Sequence, residues 1–248
     1  CIMKKYKQII VANWKMKLDV DEAINLSKEL KELLAGESIV DKKIVLCPSF
    51  LAIHDVARIL KDSGISLGAQ DVFYEEEGAF TGEVSPENLK DLGCEYIIVG
   101  HSERRAMGEA DEVVNKKAQA VLDNNMIPII CVGETLVEYE AGEAETVLAR
   151  QVSKVLENLD NKYFILAYEP IWSISTSGSG KTITASEAIN QINILKKSIP
   201  EHLKDFDIIY GGSVKSDTVG EFSKDFKGAL VGGASLKAQT FFDLIKNS

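Results

Sequence analysis

The amino-acid sequence predicts an α/β protein folded as a (β/α)8 barrel, a single domain spanning residues 1–248. Three observations carry this prediction. Eight short apolar runs recur along the chain, several of them rich in Ile and Val. Segments with helical amphipathicity generally separate them. No linker, sequence repeat, low-complexity tract or sharp change of composition divides the chain. Runs that are apolar throughout suit strands buried on both faces of a parallel sheet. Eight strand–helix units close such a sheet without leaving an edge. An open doubly wound sheet is the alternative arrangement of the same elements.

In chain order, the expected strands are Gln8–Ala12, Lys43–Cys47, Ser66–Ala69, Tyr96–Val99, Ile127–Val132, Phe164–Tyr168, Asp207–Tyr210 and Gly228–Val231. The helical segments between them are Val20–Leu34, Leu51–Lys61, Ala110–Leu122, Val137–Leu159 and Ala185–Ile199. In the first of these, Ile24, Leu26, Leu30, Leu33 and Leu34 fall on one side, with Lys and Glu opposite. Ser85-Pro86-Glu87 reads as a helix start, and Thr184 with Glu187 has the spacing of a capping box. A further short helix is expected to begin near Ser235.

Composition narrows the function. Apolar residues make up 45% and charged residues 27% of 248, as in a soluble globular protein with a large core. The net charge of -10 argues against nucleic acid or an anionic membrane as partner. A phosphate ligand must therefore be drawn in by a local device. Cys1, Cys47, Cys94 and Cys131 are widely spaced, which reads as reduced thiols in a cytoplasmic protein and not as a disulfide frame or metal site. The apolar run Ile9–Ala12 is too short for a signal-peptide core or a membrane span.

Chemistry in a barrel of this kind sits past the C-terminal ends of the strands. Strand 1 leads into Asn13-Trp14-Lys15, which offers a fixed cation. Strand 4 leads into Gly100-His101-Ser102-Glu103-Arg104-Arg105, with an imidazole at a helix start that can stay neutral and still donate a hydrogen bond. Arg104 stands where a nucleophile elbow needs its last glycine. Strand 6 leads into Glu169-Pro170, and a carboxylate straight after an apolar run is costly to bury without a partner or a purpose. The small polar residues from Ser173 to Lys181 read as a lid. Gly180-Lys181-Thr182 resembles the end of a phosphate-binding P-loop, but Ser175 occupies the place of its first glycine. Gly211-Gly212-Ser213 and Gly232-Gly233 follow the last two strands, a frequent phosphate site in barrels.

With these pieces in place, the sequence resembles the triosephosphate isomerases along almost its whole length. The matching motifs are Asn13 to Met16, Gly68 to Gln70, Gly82 to Ser85, Gly100 to Arg105, Cys131 to Glu134, Ala167 to Trp172, Tyr210 to Val214 and Leu230 to Leu236. The resemblance implies interconversion of D-glyceraldehyde 3-phosphate and dihydroxyacetone phosphate through an enediolate, in glycolysis and gluconeogenesis, with no metal and no organic cofactor. It implies Glu169 as base, His101 as electrophile and Lys15 as electrostatic anchor, with Asn13 placing substrate and Glu103 beside Lys15. It implies that backbone groups at Ser175, Ser213, Gly232 and Gly233 hold the phosphate. It also implies a homodimer in which the loop from Gln70 to Gly82, with Phe73, Tyr74 and Phe80, reaches the partner near Asn13 and Lys15.

Two departures stand out. The lid is a few residues longer than the family's usual run, with Ser175 at its phosphate-contacting glycine, and Lys17 stands where many relatives carry Asn. Two rival readings fare worse. A Schiff-base aldolase needs a desolvated lysine in mid-strand, and none of the eight runs has one. A binding protein that has lost catalysis would lack Glu169, His101 or Lys15, and all three are present.

Overall fold

The computed structural model describes residues 6–37, 41–159, 162–174, 181, 183–214, 216, 218–222 and 225–248. Eight parallel strands form a closed barrel in sequence order. They are β1 (Gln8–Asn13), β2 (Lys42–Cys47), β3 (Ser66–Ala69), β4 (Cys94–Val99), β5 (Ile127–Val132), β6 (Phe164–Tyr168), β7 (Phe206–Tyr210) and β8 (Gly228–Val231). Strand β1 closes the ring by pairing with β2 from Gln8 opposite Lys42 and with β8 from Ile9 opposite Gly228. Closure excludes the open doubly wound alternative.

The helices among the described residues are α1 (Val20–Ala35), α2 (Ile53–Leu60), α3 (Pro86–Asp91), α4 (Ser102–Ala106), α5 (Asp111–Asp123), α6 (Leu136–Glu140), α7 (Ala144–Val155), α8 (Ala185–Ser198), α9 (Val219–Phe222) and α10 (Ala238–Asn247). None is long and apolar enough to cross a membrane. The structure departs from the sequence-based expectation at three places. The segment Val137–Leu159 is two helices, because the chain turns between Glu140 and Ala144 at Gly142, a poor helix former. The short helix expected near Ser235 is a 3-10 turn that starts earlier, at Gly233. In α1, Ile24 and Leu33 are only half-buried, while Ala23 and Ser27 share the buried face with Leu26, Leu30 and Leu34. Ser27 can sit there because its hydroxyl donates to Ala23 O at 2.7 Å.

Strand alternation builds two cores. Ile9, Val11, Val45, Ile98, Ile129, Cys131, Ile165 and Ile209 point into the barrel. Ile10, Ala12, Ile44, Leu46, Ile97, Ile130 and Leu166 point outward and pack against the helices. Both strand faces are therefore buried, which is why the strands read as unbroken apolar runs. The capping at Ser85 and the box at Thr184–Glu187 form as the sequence suggested. Two further boxes, Asp19–Glu22 on α1 and Thr135–Glu138 on α6, do the same work.

Candidate active site

The C-terminal ends of the strands surround a cavity of about 330 Å³, lined by Asn13, Lys15, His101, Glu169, Ser213, Gly232 and Gly233 among others. Every catalytic or phosphate-binding candidate named from the sequence lines this cavity, except Glu103, which contacts the Lys15 ammonium, and Ser175, which lies outside the described residues. Lys17 also reaches its lining.

Lys15 follows β1 in a left-handed backbone conformation, φ 53°, which is costly for a residue with a Cβ and needs outside support. That support is visible. The Lys15 N–H donates to Asn13 Oδ1 at 3.0 Å, and Gln70 Nε2 donates to Lys15 O at 2.9 Å and Cys47 O at 3.0 Å. The ammonium then reaches Glu103 Oε1 at 2.8 Å. Gln70 was only part of a matched motif in the sequence; its role as a clamp appears once β3 delivers it beside β1 and β2.

His101 caps α4. Its Nδ1 accepts the N–H of Glu103 at 3.2 Å, so that nitrogen carries no proton and Nε2 is the donor. Nε2 lies 3.0 Å from Glu169 Oε1. Apart from this contact, Oε1 has no hydrogen-bond partner among the described residues. The other carboxylate oxygen, Oε2, accepts the N–H of Ser102 at 2.9 Å. Glu169 is thus a buried carboxylate, 2% exposed, with Oε2 held by a backbone N–H and Oε1 facing the imidazole.

Opposing influences set its charge. Burial pushes the Glu169 pKa up, but His101 and the Ser102 N–H pull it further down, so it stays ionised below the ordinary carboxylate range. Burial lowers the His101 pKa, and the Glu169 carboxylate raises it by more, for a net upward shift. That upward influence lasts only while Glu169 is an anion. Once Glu169 takes a proton, burial, Lys15 and the N–H on Nδ1 favour the neutral imidazole, and Glu103 alone still favours the cation.

A second buried acid anchors the segment that follows β6. Glu134 Oε1 accepts from Tyr168 OH at 3.0 Å and from Trp172 Nε1 at 2.9 Å. Burial raises its pKa, and these hydrogen bonds oppose the rise. The rule that singled out Glu169, an acid placed just past an apolar strand, also applies to Glu134 after β5. Trp172 packs at a tilt against Tyr139 with centroids 4.4 Å apart, and the Tyr139 hydroxyl donates to Glu187 at 3.0 Å.

The paired glycines serve two purposes. A Cβ on Gly211 would meet Glu169 Cγ at 2.7 Å, and one on Gly212 would meet the Tyr210 hydroxyl at 2.1 Å, so these positions need glycine for packing. A Cβ on Gly233 would meet nothing within 4 Å, and Gly232 faces the Lys15 side chain, so this pair borders the cavity. Ser213 Oγ is buried and has no partner among the described residues. No cluster of three His, Cys, Asp or Glu side chains that could hold a metal ion occurs among them either.

Comparison with known proteins agrees with this geometry. The family model described as triosephosphate isomerase matches residues 8–248. Triosephosphate isomerase of Dictyoglomus turgidum is 43% identical over 249 residues, covering 97% of this chain and 99% of the relative. The enzyme of Dehalococcoides mccartyi is 43% identical over 251 residues, covering 98% and 97%. That of Moorella thermoacetica is 44% identical over 249 residues, covering 96% and 98%. A closed eight-stranded barrel, these strand-end residues and matches over nearly the full length place the chain in the triosephosphate isomerase family.

Proposed function

We propose that this chain interconverts D-glyceraldehyde 3-phosphate and dihydroxyacetone phosphate by proton transfer between adjacent carbons. The observation that carries this reading is the buried contact of Glu169 Oε1 with His101 Nε2 at 3.0 Å, in the same cavity as Lys15. Removing a proton beside a carbonyl builds negative charge on oxygen, so the reaction needs a base on carbon and donors on oxygen. Glu169 takes the proton from one carbon and returns it to its neighbour. His101 Nε2–H donates to the oxygen that gains charge and moves a proton between the two oxygens. Lys15, steadied by Glu103, supplies the fixed positive charge, and Asn13 orients the substrate. A positioned base contributes about 10²–10⁴ in rate and each aimed donor about 10²–10³. The proton returns to the substrate within one turnover, so the overall reaction consumes no electrons.

The phosphate is read as sitting against Ser213, Gly232 and Gly233, with Ser175 of the lid contributing from outside the described residues. The cavity border at Gly232 and Gly233 and the Ser213 hydroxyl, which has no partner among the described residues, support this. A lid suits the chemistry because an exposed enediolate would eject its phosphate.

Residues 1–248 are read as one domain forming a homodimer. Support for the dimer comes from apolar side chains exposed beyond the C-terminal ends of the strands: Met16 is 94% exposed, Leu51 83% and Met107 71%, and the Phe80 ring lies tilted against Phe73 at 4.6 Å outside the core. Free, buried thiols at Cys47, Cys94 and Cys131 support a cytoplasmic setting.

The test of the site is Glu169→Gln. We expect kcat to fall by about 10²–10⁴ while 2-phosphoglycolate binding survives. Unchanged turnover would remove Glu169 from the mechanism.

A further inference from the structure

The motif Gly100 to Arg105 contains a cation that the mechanism above does not use. Arg105 extends from α4 into the protein, with its side chain 14% exposed. Its guanidinium makes three directed contacts. Nε donates to Gly100 O at 2.8 Å, Nη2 donates to Cys131 O at 3.2 Å, and Nη1 meets Asp111 Oδ1 at 2.5 Å. Asp111, at the start of α5, is itself buried, and its second oxygen accepts from Arg150 Nη1 on α7 at 2.8 Å.

The two carbonyls matter because of what lies next to them. Gly100 immediately precedes His101 and has φ 68°, a left-handed turn between the end of β4 and the imidazole. A Cβ there would meet Val114 Cγ1 at 2.7 Å and Arg105 Nη2 at 3.2 Å, so the turn is fitted closely around the guanidinium. Cys131 lies on β5 with its thiol inside the barrel, and Glu169 is among the charges that act on that thiol after burial. One planar group therefore ties the backbone before His101 to the backbone of a residue that neighbours Glu169. Nothing else in the described site bridges β4 and β5 through a side chain in this way.

We propose that Arg105 is a positioning residue for the proton transfer, locking the ends of β4 and β5 so that His101 and Glu169 keep their working separation; this rests on the roles assigned to those two residues above. The fork geometry is essential. A lysine brings the same charge to Asp111 but cannot serve two carbonyls and a carboxylate in one plane. A misplacement of about 1 Å costs about 10² in rate.

The test compares Arg105→Gln, Arg105→Lys, Arg150→Gln and Glu169→Gln in the full-length protein. For both Arg105 variants we expect kcat per folded site to fall about 10²-fold. KM and inhibition by inorganic phosphate should change less than about threefold, since neither carbonyl belongs to the cavity's phosphate side. Arg150→Gln removes the outer contact to the same Asp111 and should leave kcat unchanged. Guanidinium ion should restore part of the activity of Arg105→Gln, and ammonium should not. The ¹⁵N signals of the His101 ring should move in Arg105→Lys and stay in place in Arg150→Gln. Normal kcat per folded site in Arg105→Lys overturns the proposal, as does an equal loss in Arg150→Gln. If Arg105→Gln does not fold, Arg105→Lys alone decides the question by its kcat and its His101 signals. Full activity in Glu169→Gln would instead mean that the site reading itself has failed.

Discussion

At the scale of single residues, the site depends on a few groups held away from their ordinary state. Lys15 keeps a positive φ because Asn13 and Gln70 hold both sides of its peptide. Glu169 stays ionised although buried, because His101 and the Ser102 N–H outweigh burial. This has a consequence for stability. A carboxylate whose folded pKa is depressed below its unfolded value of 4.5 stabilises the fold above that pH, and the contribution is lost as pH falls through the folded value. The urea midpoint of the protein should therefore drop more steeply below pH 4.5 than that of Glu169→Gln. Parallel profiles would show that Glu169 does not titrate differently in the two states. The position of this acid was legible in the sequence, since a carboxylate at the end of an apolar strand needs a partner or a purpose, although Glu134 after β5 fits the same rule with a structural partner. Gln70 and Arg105 were not, because each bonds to a backbone carbonyl of a strand distant in sequence.

At the scale of elements, the strands were legible almost residue by residue, because each is buried on both faces and tolerates little besides apolar side chains. Helix ends were harder to read. The cap at Thr184 follows a clear Thr-x-x-Glu spacing, but Asp19–Glu22 depends on the same reciprocal bonds and was hidden among other acids, and α9 and α10 went unrecognised. Asp19 accepts the Glu22 N–H at 2.8 Å, and the Glu22 carboxylate accepts the Asp19 N–H at 2.9 Å. Asp19→Ala should cost about 1 kcal/mol of stability, measured by urea unfolding, with kcat unchanged. A loss of kcat would mean that α1 helps to set the Lys15 loop. The break between α6 and α7 went unseen because the hydrophobic pattern runs through Gly142 without a change of phase.

At the scale of the whole molecule, an acidic chain with a net charge of -10 places Lys15, Lys17 and the backbone of Gly232 and Gly233 around one cavity at the C-terminal end of a closed barrel. The same end exposes Met16, Leu51, Phe80 and Met107. If these meet a second copy, Met16→Asp should weaken association, and its activity should fall on dilution together with the dimer, followed by light scattering and assay on the same samples. A fully active monomer would show that each barrel is complete alone. The central claim is that this barrel moves a proton between carbons with Glu169 and no added cofactor. Its most direct test is a coupled assay of D-glyceraldehyde 3-phosphate conversion in the presence of a chelator, run on the native chain and on Glu169→Gln. The account predicts rapid turnover by the native chain and a loss of about 10² or more in the variant. Turnover that is absent in both, or equal in both, would contradict it.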